Sequence, residues 1–151
     1  MILKISNIFL LCRYFHLGEV FSENSKWHHI CITWKSLGGL WKVFVDGALR
    51  RIGKNFRAWH SIPGQGKFLL GRNYRDSESD IDQTDAFQGM LGQVNLWSTV
   101  KNADFVKTLV RSCLTSSSGT LVDWRSFRHN LRGEVRVIEP QSCETPGNLN
   151  E

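Results

Sequence analysis

A short acidic stretch in the middle of the chain offers the clearest chemistry in the sequence. Between positions 76 and 85 it carries five carboxylates, at Asp76, Glu78, Asp80, Asp82 and Asp85. Carboxylates this close repel one another unless they are solvated, protonated or neutralised by a cation. Oxygen ligands in a flexible loop suit calcium, which takes about six to eight of them. The spacing is not that of an EF-hand, so a solvated surface loop is the alternative interpretation.

Other reactive arrangements fit the sequence less well. The segment 78–83 comes close to the Glu-x-Asp-x-x-Glu pattern of sandwich-fold glycoside hydrolases, but it ends in Gln83, and an amide cannot act as a general acid. His28 and His29 are adjacent, so on a strand they point to opposite faces and cannot hold one metal together. The sequence contains no phosphate loop and no nucleophile elbow. We therefore predict that the protein is not an enzyme.

Size and composition point to a folded domain. The chain has 151 residues, of which 41% are hydrophobic and six are tryptophan, and this argues against disorder. The net charge of +5 is compatible with a polyanionic partner, but lysine and arginine are scattered and denser only at 50–57 and 125–136. Because no nucleic-acid motif and no membrane-length apolar run accompany them, we expect neither a nucleic-acid partner nor a membrane span.

The elements that must position the acidic stretch are strands. Trp27 to Ser36 is rich in β-branched and aromatic residues and apolar on both faces, which predicts a strand in the middle of a sheet. Asp46-Gly47 separates the apolar runs 40–45 and 48–52, the strongest short-range hairpin signal. Residues 1–21 are interpreted as one or two strands broken near Gly18 rather than as a signal peptide, because the apolar run is short and no cleavage site follows.

The remaining elements follow from periodicity and turn residues. The pattern predicts further strands at 66–72, 86–97, 121–124 and 134–138, a loop over 74–85, and a helical turn at 125–129. A helix is expected over 102–112, with Asn102 as its N-cap. Trp59 and Ile62 are expected to pack at the edge of the core, and Trp59 is also the one tryptophan considered for ligand contact. The tryptophans expected in strands and in the core are Trp27, Trp34, Trp41 and Trp97.

Four cysteines stand at positions 12, 31, 113 and 143. No Cys-x-x-Cys pair occurs among them, which disfavours a zinc ribbon. Cys113 and Cys143 bracket a region rich in serine and turn residues, as a loop-closing disulfide would. Such a bond would contribute about 3 kcal/mol and place the protein in an oxidising compartment. The alternative is a pair of free thiols.

The segment from His29 to Ser36, read as His-x-Cys-x-Thr-Trp-x-Ser, resembles the motif of the pentraxin family, His-x-Cys-x-Ser/Thr-Trp-x-Ser/Thr. Later segments match the family's order of features, at Trp41 to Gly47, Leu69 to Gly71, Phe87 to Trp97, Asp123-Trp124 and Gly133 to Val135. The resemblance implies an all-β, concanavalin-like jelly-roll sandwich with one short α-helix, lacking its N-terminal strands. It covers a partial domain over 10–143, with an uncertain segment at 1–20 and a tail at 144–151.

The same resemblance implies calcium ligands in the acidic stretch. The family's Gly-Gln-Glu-Gln-Asp segment falls on residues 71–75, and a one-residue shift brings an aspartate to its last position. The family's second acidic ligand and its following glutamine ligand fall on two further aspartates. The implied metal ligands are Asn73, Asp76, Asp82 and Asp85. Tyr74 and Arg75 also occupy ligand positions, and the family's upstream Asp-Asn pair has no counterpart, so the implied site is incomplete.

The function implied by the resemblance is an extracellular, calcium-dependent module for pattern recognition or adhesion. Its ligand would be a glycan, a phospholipid headgroup or a protein. A calcium-independent adhesion or scaffold module is the alternative, and a glycoside hydrolase is a remote one. The chain would be secreted or part of an ectodomain, either as a homo-oligomer or within a larger mosaic protein. In the family Cys31 pairs with a cysteine in an earlier strand, and Cys12 is the remaining candidate for that place.

Overall fold

The computed structural model describes residues 7–10, 13–16, 26–64, 68, 70–71, 87, 89–111, 117–129 and 131–138. These residues belong to two compact units, the first drawn from 1–26 and 60–90 and the second from 27–59 and 91–151. Strands dominate the described residues, and one short α-helix is found among them. The all-β class with one short helix is therefore confirmed. No helix of the described part is long and apolar enough to cross a membrane.

The first unit contains a two-stranded antiparallel sheet. Strand β1 spans Asn7–Leu10 and strand β2 spans Arg13–His16, with the register running from Asn7 opposite His16 to Leu10 opposite Arg13. Strands near the N-terminus are thus confirmed. The two strands pair antiparallel, and the predicted break near Gly18 lies outside the described residues.

Two expectations for the rest of the first unit are wrong. Phe68, Leu70 and Gly71 are the described residues of the predicted strand at 66–72, and none of them lies in a strand. Gly71 has φ of +82°, a left-handed conformation that a regular strand does not adopt. Ile62 was expected to pack at the edge of the core, but it is exposed.

The second unit is built on a three-stranded antiparallel sheet in the order β3-β4-β5. Its strands span Ile30–Lys35, Leu40–Val45 and Ala48–Gly53. The predicted hairpin is confirmed, and the strand predicted at 27–36 is confirmed over Ile30–Lys35. The middle strand of the described sheet, however, is β4 and not β3, because β4 pairs with β3 on one side and with β5 on the other. The consecutive residues Val43 to Val45 of β4 are buried, so this strand packs on both of its faces.

The hairpin turn follows its sequence signal closely. Asp46 and Gly47 have φ of +52° and +79°, the left-handed pair that a two-residue type I′ turn requires. Along β5 the register shifts between Val43 and Phe44, which face Arg51 and Leu49. Arg50 is therefore the extra residue of a β-bulge. The bulge lies on a strand whose residues are mostly exposed.

Trp41 shows how the sheet builds its core. Its ring lies over Gly53, where an added Cβ would come within 2.5 Å of the indole carbons. Trp41 is buried as predicted, whereas Trp27, also expected in the core, is 49% exposed. Trp27 precedes β3 and has no place in the strand pairing. The prediction failed because it extended the strand too far toward the N-terminus.

Helix α1 spans Ala103–Arg111 and packs beside the hairpin turn. Asn102 Oδ1 accepts a hydrogen bond of 2.9 Å from Phe105 N, so the predicted N-cap is confirmed. Val106 is fully buried. A Cβ at Gly47 would lie 3.5 Å from the Val110 side chain, which shows how closely the turn approaches the helix.

The later part of the chain is less regular than its sequence pattern predicts. Within the described residues of the predicted strand at 86–97, the pairing consists of one isolated bridge from Leu96 to Val122. Gln93 has φ of +54°, which interrupts an extended run. Residues 134–138 are exposed and outside any strand, so the strands predicted at 86–97 and 134–138 are wrong there. The helical turn is confirmed as a 3₁₀ helix over Trp124–His129.

Candidate functional site

The sequence-predicted metal ligands, Asn73, Asp76, Asp82 and Asp85, lie outside the described residues. The two cysteines of the predicted disulfide, Cys113 and Cys143, also lie outside them. Both predictions therefore stand as predictions. The structure does describe the two residues that flank the acidic stretch.

The flanking residues Gly71 and Phe87 meet at the base of the acidic stretch. Phe87 N donates a hydrogen bond of 2.8 Å to Gly71 O. Gly71 takes the left-handed conformation, with φ of +82°, that lets the chain turn away at this point. Gly71 and Phe87, the described residues on either side of 72–86, therefore lie next to each other.

Among the residues that the structure describes, no group of three or more histidine, cysteine, aspartate or glutamate side chains could hold a metal ion. The adjacent His28 and His29 instead contact the hairpin turn of the sheet. His28 Nδ1 lies 2.8 Å from Asp46 Oδ2, and His29 N donates to Asp46 Oδ1 at 2.9 Å. Asp46 N in turn donates to His29 O at 2.8 Å. Asp46 therefore ties the hairpin turn to the residues that lead into β3.

The titratable groups of β3 are shifted by burial. Burial lowers the pKa of His29, and the charge of Asp46 opposes part of that shift. Burial raises the pKa of the Cys31 thiol to about 11. Cys31 is a free thiol in this structure. A thiol of such high pKa is a poor nucleophile at neutral pH, and Cys12, the candidate for its partner in the family resemblance, lies outside the described residues.

A network that the sequence did not reveal holds the later segments of the second unit together. Asn95 Oδ1 accepts hydrogen bonds from Gly119 N at 3.2 Å and from Trp124 N at 3.0 Å. Trp97 Nε1 donates to Ser118 O at 3.1 Å. The sequence around Asn95 does not predict these hydrogen bonds, because their donors are backbone groups more than twenty residues away. The function of Asn95 is to join irregular segments.

The arginines of the basic cluster at 125–136 are exposed, and one of them, Arg125, contacts a nearby carboxylate. Arg125 forms a two-point contact with Asp123, with Nη2 2.7 Å from Oδ2 and Nε 3.0 Å from Oδ1. The side-chain hydrogen bond from Arg125 holds the pKa of Asp123 well below its usual range. Next to α1, Lys101 Nζ lies 4.9 Å from the centre of the Phe105 ring.

The end of the β3-β4-β5 sheet where β3 leads into β4 lies beside Trp59, the most exposed of the large hydrophobic side chains in the described residues. Trp59 is 75% exposed, contrary to the expectation that it packs at the edge of the core. Its backbone N donates to Ser36 O at 2.8 Å, which places it beside the turn that connects β3 to β4. Trp59 was the tryptophan considered for ligand contact from the sequence, and its exposure keeps that prediction open.

Comparison with known proteins places these features in a family. The model described as Pentaxin family matches residues 8–140 of this chain. The chain is 37% identical over 112 residues to the sushi, von Willebrand factor type A, EGF and pentraxin domain-containing protein 1 of Rattus norvegicus, covering 74% of this chain and 3% of that protein. It is 33% identical over 125 residues to neuronal pentraxin-2 of Mus musculus, covering 83% of this chain and 29% of that protein.

A third relative is the neuronal pentraxin receptor of Mus musculus, which is 36% identical over 102 residues, or 68% of this chain and 20% of that protein. The chain thus spans less than a third of the length of each of these relatives. Among solved structures, an S-layer domain-containing protein of Clostridium thermocellum ATCC 27405 matches with a TM-score of 0.45 and 20% identity, over 64% of this chain and 44% of its own. A match of that size supports no conclusion about function.

Proposed function

Because the chain belongs to the pentraxin family, we propose that it acts as an extracellular ligand-binding module whose acidic loop holds calcium. The all-β structure with one short helix is consistent with the jelly-roll-like fold of that family. The observation that carries the proposal is the hydrogen bond across the base of the acidic stretch, where Phe87 N donates to Gly71 O at 2.8 Å. It brings the two ends of a carboxylate-rich segment together within the part of the chain that matches the family.

The residues that would hold calcium are oxygen donors grouped in this segment. Asp82 and Asp85 fall on the family's later ligand positions, and Asn73 and Asp76 lie on the earlier ones. Hard oxygen ligands on one short segment suit calcium better than a transition metal. When bound, the ion would neutralise the mutual repulsion of the carboxylates and order the loop as a recognition surface.

Extracellular placement is part of the same proposal. The name of the Rattus norvegicus relative lists sushi, von Willebrand factor type A and EGF domains beside its pentraxin domain. We infer that this chain also works in an oxidising compartment, with Cys113 and Cys143 joined and the domain set within a larger mosaic or oligomeric protein. Its ligand would be a glycan, a phospholipid headgroup or a protein, bound without catalysis.

A calcium titration followed by thermal unfolding tests the metal. A ligand that binds only the folded state adds about 2.7 kcal/mol of stability at one hundred times its dissociation constant, so the melting temperature should rise with calcium. The double substitution Asp82→Asn and Asp85→Asn should abolish that rise. Glu78→Gln is the matched control, because it removes a charge from the same loop at a position outside the implied ligand set. A melting temperature of the wild-type protein that millimolar calcium leaves unmoved would contradict the proposal.

One observation favours a second candidate, a pentraxin adhesion module that binds without calcium. Tyr74 and Arg75 stand where the family places ligand side chains, and a guanidinium opposes a cation. For this candidate the calcium titration gives no shift, while Arg75→Gln, or Arg75→Asp at the family's aspartate position, should create a calcium response. A glycoside hydrolase is not proposed, because Gln83 stands where a general acid would be needed.

A further inference from the structure

The β3-β4-β5 sheet separates charge between its two ends. Residues 27–59 contain six lysines and arginines, and Asp46 is the one acidic residue among them. Asp46 lies on the hairpin turn between β4 and β5, where His28 and His29 N contact its carboxylate. The other end of the sheet, where β3 leads into β4, therefore has positive charge and no acidic residue of these segments to offset it.

Five residues define this basic end of the sheet. Lys35 closes β3, Leu37 lies in the connecting 3₁₀ turn, and Lys54 follows β5. Arg57 and Trp59 complete it on the loop that folds back from β5 over that turn. Lys35 and Lys54 are exposed. Leu37 is 55% exposed and Trp59 75% exposed, so the basic end combines cations with bare apolar surface.

The loop that carries Trp59 is held in place by its backbone and not by burial of its aromatic ring. Asn55 N donates to Gly38 O at 3.0 Å, and Phe56 N donates to Gly39 O at 3.1 Å. Trp34 Nε1 donates to Phe56 O at 2.8 Å. A Cβ at Gly39 would lie 2.6 Å from Phe56 N and O, so the two backbones touch. These contacts fix the backbone of the loop that carries Trp59.

The backbone of this loop is also strained. Asn55, Arg57 and Trp59 have φ of +64°, +47° and +66°. A bulky residue in the left-handed region is uncommon and costs energy, and such strain persists where surrounding contacts enforce it. Here the backbone hydrogen bonds from Asn55, Phe56 and Trp59 N to residues 36–39 enforce this conformation.

We propose that the basic end binds an anionic polysaccharide, with the Trp59 ring stacked on a sugar face and the exposed Lys35 and Lys54 beside its sulfate or carboxylate groups. A flat exposed indole matches the apolar face of a pyranose ring, and the surrounding cations match the charges that such a chain carries. This surface shares no residue with the acidic loop, and it needs no calcium. It is therefore a second binding site, separate from the proposed calcium function.

Heparin is the probe, used in the presence of EDTA so that the calcium proposal and this one fail independently. The full chain should bind heparin in affinity chromatography and in a fluorescence titration with a heparin octasaccharide. Trp59→Ala should weaken binding about tenfold, while Trp59→Phe keeps a ring and most of the affinity. The pair Lys35→Gln and Lys54→Gln should weaken binding about fivefold and reduce its salt dependence.

Two control variants test the location of the site. Trp27→Ala removes another exposed tryptophan, and Arg136→Gln removes an exposed cation of the other basic cluster, and both should bind heparin as the wild type does. Since Trp59 is exposed, its removal opens no cavity, and circular dichroism with a melting curve checks that each variant is folded. No heparin binding in EDTA, equal binding by Trp59→Ala, or equal losses in the controls would overturn the proposal. Tighter binding to single-stranded DNA than to heparin would overturn the ligand class.

Discussion

The two ends of the β3-β4-β5 sheet connect their strands in different ways. At the turn end, Asp46 and Gly47 reverse the chain, and the Asp46 carboxylate is engaged by His28 and by His29 N. Helix α1 covers this end through Val110 beside Gly47. At the basic end, a longer loop closes the sheet by backbone hydrogen bonds and leaves Trp59 in solvent.

The difference separates stability from recognition within one small sheet. The turn end uses its polar groups internally, so its residues are explained by the fold. The basic end uses backbone groups to hold its shape, and this leaves Trp59 and the exposed Lys35 and Lys54 available to a partner. An exposed residue that is positioned by a rigid frame is a stronger functional indication than a buried one.

The largest effect is expected where the backbones touch at the basic end. Gly39→Ala should lower the free energy of unfolding by about 3 kcal/mol, because its Cβ would meet Phe56 N and O at 2.6 Å and its φ is +58°. Gly38→Ala is the matched control, since its φ is +72° but nothing lies within 4 Å of the added Cβ. It should cost about 1 kcal/mol. Urea unfolding that gives equal costs for both would show that the loop does not press on the turn.

The next largest effect on stability is expected at the Asp46 carboxylate of the turn end. Asp46→Ala should cost about 2 kcal/mol, because it leaves His28 and His29 N without their acceptor and places alanine at φ of +52°. Asp46→Asn keeps one acceptor oxygen and a residue that tolerates this conformation, so it should cost less than about 1 kcal/mol. Chemical denaturation measures both variants, and an asparagine as costly as the alanine would mean that the charge, and not the hydrogen bonding, is what matters.

Relief of strain at the basic end should have a smaller effect of opposite sign. Trp59→Gly removes an exposed ring and supplies a residue that adopts φ of +66° freely. We expect the free energy of unfolding to rise by about 1 kcal/mol, while heparin binding falls. Gain of stability with loss of binding would show that the strain serves presentation of the ring. A variant that is destabilised would indicate that the ring packs on the fold.

The smallest effect is a pH dependence at the turn end. Burial lowers the pKa of His29 from its ordinary 6.5, so the unfolded chain takes up the proton first as the pH falls. The stability present above about pH 6.5 should therefore decrease at lower pH, until the folded state is protonated as well. Melting temperatures across this range measure the slope. His29→Gln should flatten it relative to the wild type, and an unchanged slope would assign it to other groups.

Local sequence signals predicted the parts of the fold whose causes are local. Asp46-Gly47 fixed the hairpin turn because few residue pairs adopt two left-handed conformations in a row. Asn102 marked the start of α1 because its side chain caps a donor three residues away. The family motif around Cys31 indicated the fold because it spans a strand that lies in the sheet.

Features with distant causes were not predictable. The order of the strands placed β4 in the middle, although the composition of β3 is just as apolar. The predicted strand at 86–97 is irregular because Asn95 bonds to Gly119 and Trp124 backbone groups in place of a neighbouring strand. Trp59 was expected at the edge of the core because it is apolar, and its left-handed backbone, held by the hydrogen bond from Trp59 N to Ser36 O, leaves no mark in the sequence.

The β-bulge at Arg50 has a consequence for how the protein behaves at high concentration. A regular edge strand offers evenly spaced donors and acceptors to another chain, which is the first step of cross-β aggregation. Among the described strands β5 pairs on one side with β4, and the register shift at Arg50 breaks its even spacing. The charges of Arg50 and Arg51 repel a second copy of the same strand. The extra residue thus makes β5 a poorer template for pairing with another copy of the chain.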